Sequence, residues 1–208
     1  MKGAKQTMCY QKLKNIPKNQ FSIHGLWPGN LTGEYIADCN GNLTTEMIEE
    51  AKKKEGDFFN EKMKKYWVSY SESDEDFWIH EYTKHGYCYT NKMKENDFLP
   101  YFKKAMPFFL DNGFNDFFLK AFPGVEKKTL TISKEDLRKI VSAFYPGYHI
   151  NFVCDSQNTK LLSQIYFYFD INFIPYPVPF PFSPNWGKKK NRLILYLDNV
   201  LLHCLMKH

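Results

Sequence analysis

Two kinds of pattern, occurring together without a repeating strand–helix rhythm, predict an α+β fold for this 208-residue chain. Leu137, Ile140, Val141 and Phe144 recur at helical spacing, whereas Ile165, Phe167, Phe169, Ile171 and Phe173 alternate strictly, as on one face of a strand. The composition, 43% hydrophobic and 18% aromatic, supplies apolar surface for one sizeable core, so residues 1–208 are expected to form a single domain.

In chain order, Phe21 and Ile23 alternate with Ser22 and His24, which predicts a short strand ending in a turn where Gly25 and Pro28 break the pattern. His24 then faces away from the Phe21/Ile23 side. Thr44 or Thr45 caps a helix around Glu46 to Lys54, and Asp57 starts another toward Tyr66. Asp74, Glu75 and Asp76 suit the first turn of a helix running through His85, with Gly86 just past its end. Ser133 followed by Asp136 resembles a capping box, and the helix it opens stops at Pro146-Gly147. Phe152 to Cys154, Ile165 to Phe173 and Leu193 to Leu197 read as strands. Pro175 to Pro184 holds five prolines among aromatics, which predicts a surface loop. The sequence has no internal repeat, no heptad pattern and no apolar run near 18 residues, so no membrane span is expected.

Half of the six histidines fall in two compact, aromatic-flanked clusters, Phe21 to Pro28 and Phe77 to Cys88. At about 100° per residue, His80, Glu81, Lys84 and His85 share a helical arc of about 140°. Such a face is commonly just solvated, but Phe77, Trp78, Tyr82 and Tyr87 argue for partial burial here. A zinc site needs His-Glu-x-x-His, and this segment has His-Glu-x-x-x-His with Lys84 at the fourth place, a spacing and a charge that both oppose chelation. Three imidazoles, a carboxylate and an ammonium can instead move protons and hold a phosphate, which suggests phosphodiester cleavage without a metal or other cofactor. The net charge of +5 suits a polyanion, although the Lys52-Lys53-Lys54 and Lys188-Lys189-Lys190 runs are expected to be solvated surface.

The two clusters resemble the paired active-site signatures of the ribonuclease T2 family. Its His-Gly-Leu-Trp-Pro core is matched by His24 to Pro28, and Trp-x-His-Glu-x-x-Lys-His-Gly-x-Cys by Trp78, His80, Glu81, Lys84, His85, Gly86 and Cys88. Tyr82 and Tyr87 stand where Trp and Thr are usual, and weaker similarity covers roughly residues 8 to 170. The resemblance implies a mainly antiparallel central sheet flanked by helices. It also implies a metal-independent endoribonuclease of acidic optimum and low base specificity. Single-stranded RNA would be cleaved by its own 2′-OH, giving 2′,3′-cyclic phosphates and then 3′-phosphates, so DNA is not a substrate.

Carried over by residue, His24 and His85 are the acid/base pair, His80 holds the phosphate, and Glu81 with Lys84 stabilises the transition state. Trp27 and Tyr35 match rings that sandwich a base, Phe77 matches one in a second base pocket, and a family aspartate that binds purines is Gly29 here. The resemblance further pairs Cys39 with Cys88, leaving Cys9, Cys154 and Cys204 without an assigned partner. Cysteines together with the sequons at Asn30 and Asn42 point to glycosylation and a secreted, lysosomal or vacuolar setting, although Met1 to Gln6 has no apolar signal core. Nothing matches the family's N-terminal strand, so the chain is expected to lack it and the signal peptide. A monomer is expected. The alternative is a catalytically inactive RNA- or protein-binding relative on the same fold.

Overall fold

The computed structural model describes residues 21–29, 37–69, 72–90, 97–111, 113–121, 131–154, 161–170, 172–175 and 192–205, the last segment as backbone only. Cys9, Asn30, Tyr35, the lysine run at 188–190 and the prolines beyond Pro175 lie outside the described residues, and of Cys154 and Cys204 only the backbone is described.

One sheet of five strands organises the described chain. β1 (Ser22–Gly29), β5 (Arg192–Leu205), β4 (Leu161–Asp170) and β3 (His149–Cys154) lie side by side in that order, each antiparallel to its neighbour. β2 (Thr131–Ser133) pairs in parallel with the far end of β5, so β1 and β2 follow one another along the same edge of that strand. The sheet is thus mainly antiparallel, and helices supply the rest of the fold: α1 (Thr45–Lys54), α2 (Lys64–Tyr66), α3 (Asp74–Glu81), α4 (Tyr87–Thr90), α5 (Leu99–Asp111), α6 (Phe114–Ala121) and α7 (Lys134–Phe144).

Local sequence explains the helix starts. Thr44, Ser73 and Ser133 each accept a hydrogen bond from the backbone N–H three residues on, at 3.4, 3.1 and 3.0 Å. Acidic residues follow in each first turn, where the helix dipole favours them. α7 ends before Pro146 and Gly147, whose φ of 84° is open to glycine without strain.

Several elements differ from expectation. β1 does not stop at Gly25 but continues through Pro28 to Gly29, because the described neighbour of β1 lies on one side only and a proline on a sheet edge forfeits no ladder bond. The helix through His85 does not end at Gly86. It passes through a π-helical turn, Tyr82–Gly86, and resumes as α4, with the Tyr87 N–H donating to the Tyr82 carbonyl five residues back. β4 ends at Asp170 rather than Phe173. The Asp170 carboxylate accepts from the N–H groups of Asn172 and Ile174, closing a turn in which Phe173 takes a φ of 62° and stacks back on Phe169. α5 and α6 were not anticipated, although Tyr101, Phe102, Ala105, Met106 and Phe109 are buried at helical spacing; Pro100 and Pro107 interrupt the pattern that announces them.

The core is one cluster, and it is aromatic. Phe167 of β4 meets Phe114 at 4.4 Å between ring centroids and Phe169 meets Phe108 at 4.6 Å, which seats α5 and α6 against the sheet. Trp67 is fully buried beside Phe102, and its carbonyl accepts from the Trp78 indole at 2.7 Å. The segment carrying Trp67 is laced to the start of β1, where the Val68 N–H donates to the Ser22 hydroxyl at 2.8 Å.

β1 carries one irregularity. Ile23 pairs with Leu197 and Gly25 with Tyr196, so His24 is the extra residue of a β-bulge. Its carbonyl accepts from the Trp67 indole N–H at 2.9 Å. Replacing Trp67 by Phe removes that hydrogen bond and part of the ring's packing in the core, and urea denaturation is expected to show a loss of about 1–3 kcal/mol. An unchanged midpoint would mean that the bulge does not depend on the indole.

Candidate active site

The bulge changes which side chains of β1 share a face. With His24 as the extra residue, Ile23 and Leu26 fall on the core side, both fully buried, while Gly25 and Trp27 share the other. That side meets the C-terminal end of α3 and the π turn. There the helical arc runs from inside to outside: Glu81 and His85 are buried, Lys84 is half-buried and His80 is exposed. The four groups therefore do not present one solvated face.

Glu81 is the centre of the cluster. Its side chain has no exposure, yet one carboxylate oxygen accepts from the Trp27 indole N–H at 2.7 Å and the other lies 3.2 Å from Nε2 of His24. The second contact is an ion-pair approach rather than a well-aimed hydrogen bond. His24 keeps 24% of its side-chain surface, enough to meet a ligand from solvent. Trp27 and Phe77 pack edge-on against its imidazole, at 5.5 and 5.3 Å, and limit the ring's rotation. Its other nitrogen, Nδ1, is 3.2 Å from the side-chain amide of Gln164 on β4.

His85 joins the cluster through the same indole. Trp27 stacks on it with ring centroids 3.9 Å apart and planes within 15°, leaving His85 1% exposed. Two imidazoles and one carboxylate, drawn from two distant sequence segments, are thus linked through a single tryptophan. Of the rings matched to base pockets, Trp27 here lies over His85, and Phe77 is buried against His24.

Two glycines make the approach possible. A Cβ on Gly25 would overlap both the Glu81 carboxylate and the Trp27 indole nitrogen. One on Gly86 would meet the Tyr82 ring at 2.7 Å and the Tyr101 ring at 2.9 Å. Tyr101, fully buried, accepts from the Leu26 N–H at 3.0 Å and so ties α5 to β1. Burial, with the nearby Glu81 charge, pushes its phenol well above the usual range, so it stays neutral beside the carboxylate.

A disulfide between Cys39 and Cys88, with Cα atoms 5.3 Å apart, fastens the loop after β1 to α4. The Asp38 N–H adds a bond of 2.8 Å to the Lys84 carbonyl in the same place. The exposed side chain of Asn42 lies just beyond this tether. Among the described residues, no three His, Cys, Asp or Glu side chains stand close enough together to hold a metal ion.

Sequence reasoning missed Trp67, Tyr101, Gln164 and Tyr166, all of which touch the site or its supports. Gln164 and Tyr166 alternate with the apolar face of β4, which was the one available hint that they point elsewhere.

Residues 3–176 match the model of the Ribonuclease T2 family. Similar proteins include Ribonuclease T2 of Aspergillus oryzae, 27% identical over 74% of this chain and 58% of that enzyme. Ribonuclease M of Aspergillus phoenicis is 28% identical over 74% of this chain and 68% of its own. Ribonuclease Rh of Rhizopus niveus reaches 36% over 43% of this chain and 42% of its own. Among solved structures, RNase NT in complex with 5′-AMP superposes with a TM-score of 0.52 at 26% identity, covering 84% of this chain and 82% of that one. The match to the Aspergillus oryzae enzyme therefore spans less than two thirds of that relative's length. Because the family model runs through both histidine clusters and most of the sheet, the chain belongs to the ribonuclease T2 family.

Proposed function

We propose that this protein is a metal-independent endoribonuclease that cleaves single-stranded RNA through the ribose 2′-OH, making 2′,3′-cyclic phosphate ends and then 3′-phosphates. The observation that carries the reading is the shared contact of the buried Glu81 with His24 and with the indole stacked on His85. Cleavage through the substrate's own hydroxyl needs no serine or cysteine nucleophile. It needs one group to take the 2′-OH proton, one to protonate the departing 5′ oxygen, and positive charge for the phosphorane-like transition state. His24 and His85 are the acid/base pair in this reading. Glu81 stabilises charge as it develops on His24, and Lys84 and the exposed His80 face the phosphate.

For RNA to reach His85, the Trp27 indole must turn off its ring, and the same movement frees a flat face for an unpaired base. We infer that this exchange of an imidazole for a base is the step by which Trp27 binds substrate. Phe77, beneath His24, then supports the catalytic ring as well as a base pocket, and Tyr35 is the second half of the base sandwich. With no aspartate two residues after Trp27, base preference is low. The exposed Asn42 and the disulfide support a glycosylated, secreted or lysosomal/vacuolar setting; the enzyme is read as a monomer that acts on RNA and, because cleavage uses the 2′-OH, leaves DNA uncut.

Replacing either His24 or His85 by Ala is expected to lower kcat on single-stranded RNA by about 10²–10⁴-fold while circular dichroism at the assay temperature remains that of the folded parent. Replacing His80 by Ala should act mainly on KM. Near-parental kcat in either of the first two variants removes that histidine from the acid/base pair.

The pH profile gives an independent check. One imidazole must be neutral and one protonated, and with an ordinary histidine pKa of about 6.5 the rate is expected to be bell-shaped, with its optimum below neutrality. A chelator should leave it unchanged. A rate still climbing above about pH 8, or one abolished by chelation, would favour metal-hydroxide chemistry.

A further inference from the structure

β4 supplies a second row of polar side chains to the site. Its apolar face, Ile165, Phe167 and Phe169, is spent on the core. The opposite face carries Gln164 and Tyr166, both half-buried. Gln164 stands opposite Asp198 of β5, as Ser22 of β1 does, so its amide reaches across a whole strand to touch His24. Behind it, the Tyr166 hydroxyl donates to the Gln164 Oε1 at 2.7 Å.

We propose that Gln164, backed by Tyr166, is a positioning residue that holds the His24 ring with Nε2 toward Glu81 and the cleft through both halves of the reaction. The inference rests on the reading of His24 as an acid/base group. Its physical content lies in which partners can reverse. When the imidazole is neutral and Nδ1 is an acceptor, the Gln164 NH2 donates to it and Oε1 accepts from Tyr166. When the imidazole is charged and Nδ1 is a donor, the amide turned over presents Oε1 to it and its NH2 to the tyrosine oxygen, which accepts as readily as it donates. A carboxylate at the same place would favour only the charged ring, and an apolar residue would hold neither. The amide–phenol pair therefore fixes orientation without biasing protonation, as suits a group that must gain and lose a proton in each turnover.

The charged group that the described side chains bring to His24 is Glu81, on its Nε2 side, while Asp198 of β5 lies in register between Ser22 and Gln164. Trp27 and Phe77 pack edge-on against it with uncharged rings.

The test compares Q164L, Q164E and Y166F with the parent and with H24A, reading steady-state kinetics, the unfolding midpoint and the histidine NMR titration. Q164L is expected to lower kcat by about 10–100-fold with KM little changed. Q164E should recover much of that kcat, move the His24 titration upward by about one unit or more, and shift the pH–rate profile with it. Y166F should fall between Q164L and the parent. An unmoved His24 titration in Q164E, or a Q164L loss that follows the unfolding midpoint and is not relieved in Q164E, overturns the proposal. Active H24A together with a shifted titration in Q164E would retain the contact but remove its catalytic purpose, which separates failure of this inference from failure of the acid/base reading.

Discussion

A carboxylate with no solvent exposure, set among aromatic rings, is the constraint around which this molecule is arranged. Left alone at the end of α3, Glu81 would be neutralised or would destabilise the fold by several kcal/mol. It is tolerated because β1 brings two partners to it, the Trp27 indole N–H and the His24 imidazole. That pairing dictates how closely strand and helix approach, and therefore why the residue after His24 is Gly25. It also dictates a neutral neighbour behind the strand, the Tyr101 phenol, which takes the Leu26 N–H without adding charge.

Both segments that meet at Glu81 depart from regular backbone. In a regular strand Ile23, Gly25 and Trp27 would share one face; the bulge at His24 instead puts Leu26 with Ile23 on the core side, turns Gly25 and Trp27 to the other, and leaves His24 to be aimed by its neighbours. Four residues apart, Glu81 and His85 fall on one side of the helix, and both remain on the inward side across the π turn that follows Glu81. Each irregularity is held from outside itself. The Trp67 indole takes the His24 carbonyl, and the Cys39–Cys88 disulfide with the Asp38 to Lys84 bond clamps the π turn. Departures of this kind cost local stability and persist where surrounding contacts over-determine them.

The resulting site is closed from one direction and open from the other. Trp27 roofs His85, whereas His24 keeps an edge toward solvent and His80 is exposed. On the proposed reading, a polyanion arriving at this surface would meet His80 and Lys84 before Glu81 and His85. On the same reading, the indole face that packs on His85 is the face a base would use.

The family and the clustering of the two histidine segments were legible in the sequence because they depend on residue types at short spacing. His24 to Pro28 and His80 to Cys88 carry the matching signatures, the caps at Thr44, Ser73 and Ser133 are local hydrogen bonds, and the alternation from Ile165 to Phe169 marks a half-buried strand. Tertiary structure alone decided the features that depend on contacts between distant segments. Pairing with β5 carries β1 through Gly25 and Pro28, although local propensity ends it there. Aromatic packing overrides Pro107 in α5, and the clamp on the π turn carries the helix past Gly86. Gln164 and Tyr166 belong to the site only because β5 lies between their strand and His24, a placement set by sheet order that no local pattern encodes.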